Sequence, residues 1–247
     1  METDKVARVL ELLEALPERG LDALKELVGS ELNYELRFAE RAAMDDLADS
    51  QQDWLAEPPS ILATAGRHPD CFYVIHATLS DQAPRGRGFP LSITAERALA
   101  QRLLEHQPYA LLVFSDKEMR HWHFVNARDV RQPNRDGQAR LRRVLRRIAV
   151  GPAEQLRTAA ERISMIDVND SGEPTIQGGV SPAAIKTLHD EAFDVEAVTK
   201  EFFAEYVKVF TSLRDHVQPH LQSRQDARDY AQQFLNRVMF LYFVQRK

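Results

Sequence analysis

Eight arginines crowd into residues 128–147: Arg128, Arg131, Arg135, Arg140, Arg142, Arg143, Arg146 and Arg147. Asp129 and Asp136 are the only acids among them. A guanidinium presents a rigid fork of donors that matches phosphate oxygens two at a time, so a cluster this dense suits a phosphate backbone. Such contacts add affinity with steep salt dependence and read no base sequence. Pro133 and Gly137 predict a loop carrying Arg128, Arg131 and Arg135. Leu141, Val144, Leu145 and Ile148 predict a helix for the second half, with Arg143, Arg146 and Arg147 sharing a face and Arg142 aligned with Arg146. DNA contact is assigned to Arg140, Arg142, Arg143, Arg146 and Arg147. Pairing with acidic N-terminal helices is the structural alternative, and exposed pairs of that kind add little stability.

Carboxylates offer a second chemistry, a magnesium-dependent nuclease. Two or three acidic groups would hold the ion, and a lysine would help position the attacking water. Pro69-Asp70 precedes an apparent strand, and Glu40 is a candidate companion. The strand at 72–79 contains no Glu, Asp or Lys, and Asp116-Lys117-Glu118 falls in a turn with the wrong order. The alternative is that Pro69-Asp70 is a turn before a strand. His121 and His123 flank Trp122 at a spacing that could share a metal, but no carboxylate or cysteine companion is evident. The reading preferred for them is outward-facing histidines with Trp122 and Phe124 in the core. No phosphate-binding glycine loop, nucleophile elbow or H-E-x-x-H motif occurs.

The elements that must position these residues follow from periodicity. Val6, Val9, Leu10 and Leu13 predict a first helix ending near Pro17, and a second spans 21–28. Ser30 as cap, with Leu32, Leu36, Ala39, Ala43 and Leu47, predicts a third. Strands are predicted at 60–65 and 72–79, a helix at 94–106, and strands at 109–114 and 121–126. A short helix follows at 153–165. The reading is an α/β fold, a mixed sheet flanked by helices, with an α-helical connector. Residues 1–168 form the α/β domain, 169–189 a polar linker, and 190–247 the connector.

Composition bounds the rest. Of 247 residues, 44% are apolar and 28% charged, as in an ordinary globular protein. One cysteine, Cys71, excludes an internal disulfide and a multi-cysteine zinc site, and a cytoplasmic setting follows. Residues 1–58 carry 15 Asp/Glu against 6 Lys/Arg, whereas 117–162 carry 12 Lys/Arg against 5 Asp/Glu. A phosphate-attracting face on an acidic protein is one consequence, and two solvated surfaces of opposite sign is the other. The last helix runs apolar from Val238 to Val244, far too short for a bilayer. It predicts burial against a downstream domain or a partner chain through Leu235, Met239 and Phe243, and hence an N-terminal piece of a larger protein.

Four segments in order, YALLVFSDKEMRHWHFVNAR, LRTAAERISMIDV, AFDVEAVTKEFFAEYVKVF and QQFLNRVMFLYFVQRK, carry a resemblance. Over about Tyr109 to Lys247 the chain resembles the N-terminal region of type IIG-like fused restriction–methylation proteins and related phage-defence DNA adenine methyltransferases. Its most specific parts are the stretch from Phe193-Asp194-Val195 to Phe203 and the block from Asn236-Arg237 to Gln245. The resemblance implies an α/β segment, in some members a degenerate restriction-nuclease-like core, followed by a helical connector to a methyltransferase domain that uses S-adenosylmethionine. That domain's Asn-Pro-Pro-Tyr motif is absent here, so no cofactor is expected on this chain. The implied role is a DNA-interacting or assembly module, with a divergent magnesium-dependent endonuclease as the alternative.

Overall fold

The structure, a computed structural model, describes residues 2–44, 47–67, 70–84, 91–133, 139–172, 179–221 and 223–245. Contacts divide the chain into two units, Met1–Phe193 and Asp194–Lys247. The first is an α/β unit built on one six-stranded mixed sheet, with its strands side by side in chain order.

Helix α1 (Glu2–Arg19) buries Val9, Leu13 and Leu16 and continues past Pro17. Gly20 ends it with φ 55, where a Cβ would meet the Met119 sulfur at 2.9 Å. Helix α2 (Leu21–Glu26) then passes into a wide turn at Leu27–Glu31. The predicted third helix is instead strand β1 (Glu35–Arg41). Asn33, at φ 61, turns the chain out of the helix, and Ala39, at φ 57, lies where the β1 register breaks. An edge strand interrupted by a bulge loses the alternation that would have marked it, and the i, i+4 apolar spacing is left as a false helical signal.

A short helix α3 (Asp49–Gln52) leads to β2 (Ser60–Arg67) and β3 (Asp70–Thr78), paired antiparallel. Helix α4 (Ile93–His106) carries the chain to β4 (Ala110–Ser115), which lies parallel to β3. Ser92 starts α4 by accepting the Ala95 N–H at 3.1 Å. The segment predicted as a basic helix is the second arm of a long hairpin, β5 (Trp122–Pro133) and β6 (Ala139–Val150), in register from Trp122–Val150 to Pro133–Ala139. Twelve consecutive backbone pairings supply tertiary context that overrides the local 3.6 periodicity. Arg128 and Arg131 therefore lie on a strand, and Arg135 lies outside the described residues.

Both faces of the sheet are covered. Phe72, Val74, Leu111, Trp122, Phe124 and Ile148 pack against α1, α2, α5 (Leu156–Ser164) and α6 (Pro182–Ala192). Ile75, Leu112, Phe114, Val125 and Ala127 pack under Leu99, Ala100 and Leu103 of α4. Full burial of each large apolar side chain is worth about 1.5–3 kcal/mol. Helix α6 covers part of the stretch read as linker and connector. It buries Ile185, His189 and Ala192 in the first core, so the first unit runs to Phe193, beyond the expected boundary at 168.

The second unit is two long helices, α7 (Val195–Val217) and α8 (Arg224–Gln245). Ala227 and Ala231 are fully buried, and Leu235 and Met239 continue that i, i+4 line half-buried. The outer positions are apolar as well: Phe203, Phe240 and Leu241 are each about 60% exposed or more. Among the described residues, no helix is long and apolar enough to cross a membrane.

Candidate nucleic-acid interface

A strand sorts its side chains differently from a helix. On β6 the alternation places Arg143 and Arg147 toward α4, in register with Asp129 and Val125. Arg142 and Arg146, in register with Val130 and Asn126, point to the α6 side. The expected grouping of Arg143, Arg146 and Arg147 is therefore split between two faces of the sheet. The side chain of Arg140 lies outside the described residues.

The five also differ in surroundings. Arg142 and Arg143 are exposed, and Arg146 and Arg147 are half-buried. Arg143 donates from Nε to Asp129 Oδ1 at 3.1 Å across the hairpin, with both side chains open to solvent. Arg147 donates from Nε to Glu96 Oε2 at 2.6 Å. Glu96 has no exposed surface, and its Oε1 also meets His123 Nδ1 at 2.5 Å. Arg147 is thus a structural ion-pair residue, removed from the expected phosphate-binding set.

Nothing in periodicity pointed to that buried trio. Glu96 looks like an acidic residue in the first turn of a helix, a favourable surface position. The helix turns this position inward because Ala95, Leu99 and Leu103 dock on the sheet, and β5 and β6 bring His123 and Arg147 to meet it. His123 is buried and not outward-facing. Trp122 and Phe124 are in the core as expected. His121 shares its Nδ1 with Asp116 Oδ2 at 2.8 Å, while Asp116 Oδ1 accepts the backbone N–H groups of Arg120 and His121. Asp116 is thereby occupied in closing the turn before β5. Among the described residues, no group of three or more His, Cys, Asp or Glu could hold a metal ion.

The register sets the nuclease candidates apart, Glu40 opposite Ile61 of β2 and Asp70 opposite Arg67. Asp70 opens β3, and Glu40 lies near the end of β1. Burial pushes the Cys71 thiol and the Tyr73 hydroxyl up, and the charges of Glu40 and Asp70 push both further in the same direction. The strands flanking β3, SILATAGR and ALLVFS, contribute neither an acid nor a lysine. Pro69 lies outside the described residues.

On the α6 side, Tyr34 donates to Ile166 O at 3.0 Å and meets His189 Nε2 at 2.8 Å. With the tyrosine proton given to the carbonyl, the histidine carries its proton on Nε2 and leaves Nδ1 as a buried acceptor without a partner among the described residues. Burial, helped by the nearby Lys186 charge, lowers the His189 pKa to about 3. Burial alone lowers His76 to about 4, where its Nε2 meets Ser115 Oγ at 2.9 Å. These buried groups tie α6 to Tyr34 and β3 to β4.

No protein-family model, curated protein or solved structure matches the chain.

Proposed function

We propose that this chain is a DNA-holding module of a larger restriction–modification or phage-defence DNA methyltransferase, without catalysis of its own. The observation that carries the reading is the arginine exposed on β6, an edge strand of the sheet, outside the Glu96–Arg147 pair. Arg142 and Arg143 stand exposed there. Charged side chains on an edge strand also block unwanted strand pairing, so the same residues suit both tasks. The apolar outer surface of α7 and α8 supports a role as connector to a methyltransferase domain or partner chain. Its exposed positions Phe234, Val238 and Leu241 fit that role better than Leu235 and Met239, which are half-buried within the unit. The side chain of Phe243 lies outside the described residues. S-adenosylmethionine would be bound by that other domain, and the setting would be the cytoplasm.

The test is binding to a labelled random duplex at two salt concentrations, with and without magnesium. The expected result is retention of intact duplex, with log affinity falling about 0.9 for each phosphate contact per decade of salt. Salt-independent binding or none would overturn it. A second reading is a divergent magnesium-dependent endonuclease built on Asp70 and Glu40. It requires magnesium-dependent products in the same assay, abolished by Asp70→Ala.

A further inference from the structure

A cavity of about 430 Å³ opens between α4 and β6, lined by Arg97, Gln101, Arg142, Arg143, Val144 and Leu145. Arg97 and Gln101 are one helical turn apart and both exposed, so a single face of α4 presents a guanidinium and a carboxamide to the strand. On the facing strand Arg143 supplies a guanidinium and Leu145 apolar surface, while Arg142 and Val144, whose side chains alternate to the other face, complete the rim of the cavity. No carboxylate is among its described lining residues. The nearest acid along α4, Glu96, is turned inward and occupied by His123 and Arg147. Asp129 holds Arg143 through Nε and Nη2, which fixes the direction of that fork.

Two guanidiniums and a carboxamide beside an apolar surface form a receptor for a phosphate group attached to something flatter and less polar. The volume falls in the range of small-ligand sites and exceeds what a bare inorganic anion needs. We infer that the groove between α4 and β6 seats a nucleotide unit, its phosphate against Arg97 and Arg143 and its base or sugar over Leu145. Arg97 and Gln101 thereby join the interface, although neither belongs to the arginine-rich stretch. The inference deepens the DNA-holding reading and rests on it for the polymer, while the phosphate chemistry is common to a strand and a free nucleotide.

The experiment measures binding of a labelled duplex, a labelled single strand and a free nucleoside monophosphate to the full chain. It compares the native protein with Arg97→Glu, Gln101→Glu and Arg157→Glu, a control matched in charge to Arg97→Glu. Arg157 sits on α5 with a side chain 74% exposed. Reversing the Arg97 charge, or setting a carboxylate at position 101 against the phosphate, should weaken nucleic-acid binding by about tenfold or more. Arg97→Glu should also reduce the salt slope by about one. Arg157→Glu should change little. Circular dichroism and a thermal melt confirm that each variant is folded. If Arg97→Glu and Gln101→Glu bind DNA as the native protein does, the groove assignment falls and the DNA-holding reading stands. If the native chain binds the free nucleotide in an Arg97-dependent way but no polymer, the groove stands and the DNA-holding reading falls. Equal losses in Arg97→Glu and Arg157→Glu reduce the effect to net charge and overturn the groove assignment.

Discussion

Arg143 and Arg147 stand four residues apart on the same face of β6, and each meets one carboxylate. The partner of Arg143 is Asp129, whose side chain is 52% exposed; the partner of Arg147 is Glu96, at 0%. The first pair lies in water, where Coulomb attraction is screened and two long side chains lose freedom for little return. The second is dehydrated, so breaking it strands a charge in the core. One residue type on one strand thus serves two purposes, and the burial of the acid decides which. Density of arginine in the sequence measures neither.

The largest effect is expected where the dehydrated pair is broken. Glu96→Gln keeps the shape but leaves the half-buried Arg147 without its counter-charge. It should cost about 3–5 kcal/mol of unfolding free energy, read by urea denaturation. Arg147 Nη2 already has no partner among the described residues, so the site has little spare hydrogen-bonding capacity. A loss below about 1 kcal/mol would mean that water reaches Glu96, and the contrast with Asp129 would collapse.

The neutral histidines give the next effect, and they sharpen the same contrast between dry and wet surroundings. His76 and His189 have folded pKa values lowered to about 4 and about 3, against roughly 6.5 when unfolded. Below 6.5 the unfolded chain takes up protons that the folded chain refuses. Stability is therefore full above that pH and falls as pH drops toward 4, by about 1.4 kcal/mol per pH unit for each histidine. Between pH 6.5 and 5 the two together should remove on the order of 4 kcal/mol. His189→Phe should halve that slope, because Tyr34 keeps its bond to Ile166 O. Denaturation midpoints at both pH values check this, and a flat profile in the native protein would show these sites to be hydrated.

How much of this was legible beforehand depends on where tertiary contacts overrule local pattern. The core strands β3 and β4, the helix α4 and the burial of Trp122 and Phe124 follow from runs of apolar residues that face the same way in any context. β1 and β6 did not, and both are terminal strands of the sheet. An edge strand has one neighbour and mixed exposure, so its sequence need not alternate cleanly. In β6, Leu141, Val144, Leu145 and Ile148 mimic a helical stripe. The pairing that makes it a strand is supplied by β5, which is invisible to a local window. For the interface, the arginine-rich segment was evident, but its division into Arg142 and Arg146 against Arg143 and Arg147 required the register. Glu96, Arg97 and Gln101 gave no signal at all, since their role comes from the way α4 lies over the far edge of the sheet.

A mid-sized prediction concerns that register. Arg143→Ala should change unfolding free energy by less than about 1 kcal/mol, because the exposed pair contributes little. It should nonetheless lower the salt slope of duplex binding by about one. Arg146→Ala, on the opposite face, should leave binding in the α4-side groove unchanged while the Arg143 variant weakens it. Nucleotide titrations of the two variants distinguish this from a helical arrangement, in which both arginines would share a surface and fail together.

The smallest effect is expected at Asp129, and it tests the comparison from the other side. Asp129→Asn removes a carboxylate that holds Arg143 across the hairpin and competes with any phosphate for its fork. The change parallels Glu96→Gln in chemistry, acid to amide with little change of shape, and differs from it only in burial. Stability should shift by no more than about 1 kcal/mol, because solvent replaces what the pair supplied. Affinity for a labelled duplex should rise a few-fold at low salt, and the gain should shrink as salt screens the local field. A fall in affinity would assign Asp129 the opposite role, that of aiming Arg143 toward the groove. The exposed pair would then work by geometry and not by charge, and the difference between the two arginines would lie in what their carboxylates orient as well as in how dry they are.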